Sequence, residues 1–192
     1  GNGLSAPAAV FTFAMSTLVG LRLRKTRQAA KAAKLAALVQ NPRLLPAKTV
    51  KRLFVFRHGQ TFHNLACTDS SGKQSLRLKG GPDGTMSKDQ KDYEDSPLTD
   101  EGKQQAIDAG LLVKEKGIQL VVASPLERTL QTAEGLFPSP PGGKIHAFEE
   151  IREQTFAGVP YNKRGSISSK KPNHPLVDFS LIDSDEDAFY ED

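Results

Sequence analysis

The sequence predicts an α/β protein, a three-layer α/β/α sandwich, and three observations carry that expectation. Two short apolar runs, at 53–56 and 120–123, have the length and the β-branched or aromatic content of buried strands. Each run ends abruptly in a polar turn, Arg57-His58-Gly59 in the first and Ser124-Pro125 in the second. Stretches with helical signals follow at 99–116 and 125–136, so strands and helices alternate along the chain.

The first strand covers 52–56, and Gly59 allows the sharp turn that leaves Arg57 and His58 at its carboxyl end. In open α/β sheets ligands bind at that edge. An Arg and a His placed there make an anion site carrying a nucleophile, although an isolated Arg-His pair reads more simply as a solvated strand end. Thr99 is expected to cap the first long helix, with Asp100 and Glu101 in its first turn and Lys114 and Lys116 near its end. Ala106, Ile107, Ala109, Gly110, Leu111 and Val113 offer it a broad inner face.

The second strand covers 119–123 and runs straight into a helix. Ser124 can serve as N-cap, Pro125 suits the first helical position, and Glu127 stands where a capping box requires it. Arg128 then falls in the first turn, beside free backbone N–H groups, where a guanidinium can grip a phosphate with two parallel hydrogen bonds. Taken alone, it is also an ordinary helix-surface arginine. A turn is expected from Pro138 to Gly143, and a further helix from near Ser166 within 162–182.

Together these segments resemble the histidine phosphatase superfamily, also called the phosphoglycerate mutase-like family. The resemblance rests on Arg57-His58-Gly59-Gln60-Thr61 with Asn64, on Ser124-Pro125-Leu126 with Arg128-Thr129 and Gln131-Thr132, and on Ser96-Pro97-Leu98-Thr99 with Gly102, Gln105 and Ala106. It covers roughly 51–182. Ile151-Arg152-Glu153, Gly158, Pro160, Lys163-Arg164, Ser166-Ile167-Ser168 and the run from Val177 to Ile182 look closest to the phosphomutase-like proteins of fungi, plants and algae, a branch of broad or unassigned phosphatases.

The resemblance implies a role for each matching residue. His58 would attack phosphorus and form a phosphohistidine, with a hydrogen-bond acceptor fixing its tautomer. Arg57 and Arg128 would hold the phosphoryl oxygens, the largest share of catalysis in phosphoryl transfer. Asn64 would add a neutral hydrogen bond to the same oxygens. Glu153 matches the family's general acid and base, and a proton on it at neutral pH calls for burial or a nearby phosphate. Glu149 and Glu150 lie close enough in sequence to compete for that assignment. His63 is expected only to line the mouth of the pocket. The substrate implied is a small phosphorylated molecule, with no metal or organic cofactor.

One departure stands out. The family needs a second histidine on a later strand, and of His58, His63, His146 and His174 none fits: His146 precedes the glutamate segment and His174 lies in a proline-flanked polar loop. The expectation is a fragment, incomplete at its C-terminus and truncated before that histidine. Two functions therefore remain open: a phosphatase acting through His58, and a catalytically degenerate phosphate-binding or interaction protein.

Composition divides the chain in two, 1–50 as a basic amino-terminal segment and 51–192 as a partial histidine phosphatase domain. Residues 1–68 hold eleven Lys and Arg and no acidic residue, while the rest holds fifteen basic and twenty-two acidic ones, so the net +4 is the sum of +11 and −7. The run 6–21 is uncharged and largely apolar, but its sixteen residues fall short of the ~20 that cross a bilayer. A basic flank follows at 22–27, then an Ala, Lys and Leu-rich stretch at 28–40 that suits a basic amphipathic helix. An organelle transit peptide, a membrane anchor or membrane-surface contact, and a surface helix packed on the domain all fit this end, the domain otherwise being cytoplasmic. Nucleic acid is not an expected partner, because no aromatic interleaving or binding module accompanies the charge. The insert from Cys67 to Asp95 reads as a long surface loop. Cys67 is the single cysteine, which excludes an internal disulfide and a zinc cluster.

Overall fold

The computed structural model describes residues 8–12, 52–68, 93–153 and 160–190. The expectations for 13–51, for most of the insert (69–92) and for 154–159 lie outside the described residues. Five strands form one sheet: β1 (Ala8–Thr12), β2 (Arg52–Phe56), β3 (Ile118–Ala123), β4 (Ile145–Ala147) and β5 (Val177–Asp178). Their order is β2-β1-β3-β4-β5, and every neighbouring pair is parallel. Five residues of the amino-terminal segment thus stand inside the sheet, between the strand that carries His58 and the strand that leads to Arg128. Among the described residues the α-helices are α1 (Phe62–Ala66), α2 (Asp100–Val113), α3 (Glu127–Leu136) and α4 (Ile167–Lys170), and the fold is α/β. No helix among the described residues is long and apolar enough to cross a membrane.

β3 is the apolar spine. Leu120, Val121, Val122 and Ala123 are all buried, as a strand covered on both faces must be. Val121 and Ala123 pack with Leu130, Ala133 and Leu136 of α3, Val113 of α2, Ile145 and Ala147 of β4, and Ile167, Val177 and Phe179. Phe54 and Phe56 of β2 lean on the same cluster.

The reading of 53–56 as a buried strand needs correction. β2 is an edge strand, and Leu53 and Val55, alternating with the two phenylalanines, are 58% and 47% exposed. Period-two alternation sends them to the face opposite the core cluster.

α2 starts where expected, with the Thr99 hydroxyl accepting from the Gly102 N–H, but its inner face is narrower than the apolar composition suggests. Gly102, Ala106 and Val113 are buried, while Ile107, Leu111 and Leu112 are exposed. Positions 102, 106 and 113 share one helical stripe, and 107, 111 and 112 face away from it.

Candidate active site

β2 ends at Phe56, so Arg57 and His58 leave the sheet at its carboxyl edge, and β3, on the other side of β1, delivers Ser124 to the same edge. The loop after His58 is held from three sides. The Gly59 N–H donates to the Thr132 hydroxyl on α3 at 3.1 Å, the Gln60 N–H donates to the Gln105 side chain on α2 at 2.9 Å, and the Gln60 carbonyl accepts from the Thr99 N–H at 2.9 Å. Gly59 does not have a positive φ, so its role is not the sharp turn that the sequence suggests. It is glycine because the backbone of Gly102 lies where a side chain would be, and Gly102 is glycine because Gln60 approaches it as closely.

The cap on α3 also differs from expectation. The helix begins at Glu127, and its N-cap position, Leu126, makes no side-chain hydrogen bond. Ser124 instead bonds locally, its hydroxyl accepting from the Leu126 N–H at 3.4 Å. The free N–H of Glu127 is satisfied from a distant segment by Asp95, at 2.7 Å. Asp95 has φ 45°, a left-handed conformation that Asp tolerates better than most residues. Its other oxygen accepts from the Gly165 N–H at 2.7 Å and meets the Lys170 ammonium at 2.6 Å. One buried carboxylate therefore ties the insert's end, the start of α3 and the 160–170 segment together.

All five sequence candidates, Arg57, His58, Asn64, Arg128 and Glu153, line a single open cavity of about 130 Å³. Thr61, His63, Cys67, Ser96 and Tyr161 complete its wall. His58 Nδ1 lies 2.7 Å from its neighbour's carbonyl, Gly59 O. A carbonyl only accepts, so Nδ1 carries the proton and Nε2 keeps its lone pair. Burial, with the charges of Arg128 and Arg57 and nearby His63 acting in the same direction against the Gly59 hydrogen bond, lowers the imidazole pKa to about 4. At neutral pH His58 is an uncharged base with one defined nucleophilic nitrogen.

Arg128 is 3% exposed, and its guanidinium has three acceptors. It donates to the Tyr161 carbonyl at 2.7 Å, to Asn162 Oδ1 at 2.8 Å and to the Glu153 carboxylate at 2.9 Å. Burial lowers its pKa, with the charges of Glu153 and Asp95 opposing that loss. Arg57, by contrast, is exposed at the rim. Asn64 has a structural task besides its place in the wall: its Oδ1 accepts from the Thr61 N–H at 3.2 Å while the Thr61 hydroxyl accepts from the Asn64 N–H at 3.0 Å, a capping box on α1.

Of the competing glutamates, only Glu153 reaches the cavity. Glu149 is buried against Arg152 and Arg164, at 2.8 and 3.2 Å. His63 is more than a rim residue: it is buried, stacked on Tyr161 with ring centroids 3.6 Å apart, and its Nε2 lies 3.3 Å from Cys67 Sγ. Burial and the Arg128 charge lower its pKa to about 4. His146 and His174 stand elsewhere, paired with Asp178 and with Glu127 and Glu134 respectively. Tyr161 and Asn162, which orient Arg128, have no signal in the sequence; thirty-odd residues separate them from their partner.

The model of the histidine phosphatase superfamily (branch 1) matches residues 53–177, more than half the chain and the whole of this cavity's described wall. The chain belongs to the histidine phosphatase superfamily. Its parallel sheet with flanking helices is that superfamily's α/β fold. Among curated relatives it is similar to phosphoglycerate mutase-like protein 1 of Arabidopsis thaliana, 29% identical over 181 residues that make up 77% of this chain and 58% of the relative. A second Arabidopsis thaliana protein, named phosphoglycerate mutase-like protein, is 26% identical over 183 residues, 77% of this chain and 60% of the relative. The probable phosphoglycerate mutase GpmB of Erwinia tasmaniensis is 29% identical over 120 residues, 62% of this chain and 46% of the relative. The chain thus spans about three-fifths of the length of the two plant relatives.

Proposed function

We propose that this member of the histidine phosphatase superfamily is a phosphatase that hydrolyses small phosphomonoesters through a phosphohistidine on His58. The observation that carries the reading is the state of His58: neutral, its proton fixed on Nδ1 by Gly59 O, in a cavity that it shares with two arginines. In the first step Nε2 forms a bond to phosphorus as the ester P–O bond breaks, and a proton from Glu153 goes to the leaving oxygen. In the second, Glu153 takes a proton from water, whose oxygen attacks phosphorus as the P–N bond breaks and inorganic phosphate leaves. Arg57 and Arg128 neutralise the charge that spreads over the phosphoryl oxygens.

Hydrolysis is preferred to mutase chemistry because the Glu153 segment does not closely resemble that of the phosphoglycerate mutases. A second reading, phosphate binding without turnover, is supported by His146 and His174: both are engaged away from the cavity, so among the described residues only His63 accompanies His58 there. Release of p-nitrophenol from p-nitrophenyl phosphate separates the two. Turnover that disappears in His58→Ala supports the phosphatase, and its absence from the natural-length protein supports binding alone.

A further inference from the structure

Arg128 has three acceptors, and they are not alike. Asn162 is buried and the Tyr161 carbonyl belongs to the backbone, so both are fixed parts of the fold. The Glu153 side chain is 27% exposed and lines the cavity, in reach of whatever enters it. It stands on Arg128 with the charge and geometry of a bound anion.

We propose that Glu153 is a resident anion on Arg128 which the substrate's phosphoryl group displaces, so that filling the site and placing a proton on Glu153 are one coupled event. This deepens the phosphatase reading and rests on it. With the site empty, Glu153 stands 2.9 Å from the guanidinium as its ion-pair partner, and an ion-paired carboxylate is the wrong form for protonating a leaving alcohol. An entering phosphoryl dianion takes over the Nη2 hydrogen that Glu153 accepts and leaves Glu153 beside two negative charges without its cation. A carboxylate in that position binds a proton. The proton comes from solvent on binding, resides on the Glu153 carboxyl, and passes to the ester oxygen when the P–O bond breaks. Asn162 and Tyr161 O keep the guanidinium in place throughout the exchange.

The described charged and titratable groups that share the cavity with Glu153 are Arg128 on α3, Arg57 and His58 after β2, His63 on α1, Cys67 just after it and Tyr161 in the 160–162 turn. His58 and His63 are the alternative takers of a proton, and the test must tell them from Glu153.

The experiment is titration calorimetry of the intact chain with inorganic sulfate, a phosphate-like dianion that does not titrate near neutral pH, in two buffers of different ionisation enthalpy. Wild type should take up close to one proton per sulfate. Glu153→Gln should bind sulfate about ten-fold more tightly, because removing the competitor makes every molecule binding-competent, and should take up none. Glu153→Ala, measured alongside with circular dichroism as the folding check, should do the same. Equal or weaker binding by both variants would show that Glu153 only orients Arg128, and proton uptake that survives in them would place the proton on a histidine; either overturns the inference alone. Failure of wild type to bind sulfate, or undiminished binding by Arg128→Ala, would overturn the phosphate-site reading as well.

Discussion

Gly59 and Gly102 meet backbone to backbone, and a Cβ on either would overlap the other strand of chain: that on Gly59 the Gly102 carbonyl, that on Gly102 the Gln60 carbonyl. The loop that presents His58 is thereby seated on the first turn of α2. Gly102→Ala should destabilise the protein by about 2 kcal/mol or more, since the clash is with backbone that cannot rotate away. Urea denaturation measures this. Because the displaced loop carries His58, turnover per KM should fall in the fraction that remains folded.

His58 should titrate far below an ordinary histidine. The folded imidazole has its pKa lowered to about 4, so it stays neutral from pH 7 down to about 5 and charges only beneath that. The sign for stability follows: the unfolded chain binds this proton near pH 6.5 and the folded one does not, so the group destabilises the fold as pH falls from 6.5 towards 4. A nuclear magnetic resonance titration of the ring protons gives the midpoint directly. A midpoint near 6.5 would show that the imidazole is not shielded as described.

Arg128→Ala should lower turnover per KM by at least roughly ten-fold, and by as much as 10²–10³-fold if the guanidinium stabilises the transition state as one preorganised donor does. Arg128→Lys should recover little, because a single ammonium cannot replace a fork held by Tyr161 O and Asn162. Steady-state kinetics with an aryl phosphate provide the comparison.

The imidazole of His174 is 3% exposed between Glu127 at 3.0 Å and Glu134 at 2.8 Å. Burial opposes its charge, but hydrogen bonds to both carboxylates outweigh burial and raise its pKa to about 9. Glu127 is held at about 2: burial would raise it, and His174 and Lys170 more than reverse that. A raised folded pKa means stability fully present below the unfolded value near 6.5 and lost as pH climbs through 9. Wild-type Tm should therefore fall between about pH 6.5 and 9.5. His174→Gln should have a lower Tm at pH 6 and lack that decline, the difference being on the order of 2–3 kcal/mol.

Arg164 is wholly buried, donating to Glu149 and to the carbonyls of Gly165, Ser184, Asp185 and Glu186. The acidic run 183–187 is thus a clamped segment, with Asp187 also bound through both oxygens to Arg152 at 2.6 and 2.7 Å. Arg164→Met should cost on the order of 3–5 kcal/mol, since it leaves several buried carbonyls without their donor and Glu149 with Arg152 alone. Thermal unfolding reads the loss.

The site was legible in the sequence where chemistry and local pattern coincide. Arg57, His58, Asn64, Arg128 and Glu153 were each marked by a short motif at a strand end or helix start, and all five line one cavity. β2, β3 and the start of α2 follow from apolar runs and from the Thr99 cap, while α2 ends at Val113, short of the expected Lys116. What failed depended on residues remote in the chain. Ser124 had the right identity for a cap, yet Asp95, thirty-two residues earlier, does that work for Glu127. Gly59 looked like a turn glycine, and only the approach of Gly102 explains it. Leu53 and Val55 are exposed because they alternate onto the face of β2 opposite the core cluster, and an apolar run does not say which of its faces is covered. The charge contrast that sets 1–50 apart does not register the pairing of Ala8–Thr12 with β2 and β3.

The central claim is that His58 carries the phosphoryl group, and the most direct measurement is rapid quench of the protein with labelled phosphomonoester, followed by mapping of the label. The account predicts a phosphoryl group that is acid-labile and base-stable, located on the peptide containing His58, and absent from His58→Ala. Label on another residue, or turnover of the same substrate by His58→Ala at the wild-type rate, would contradict it.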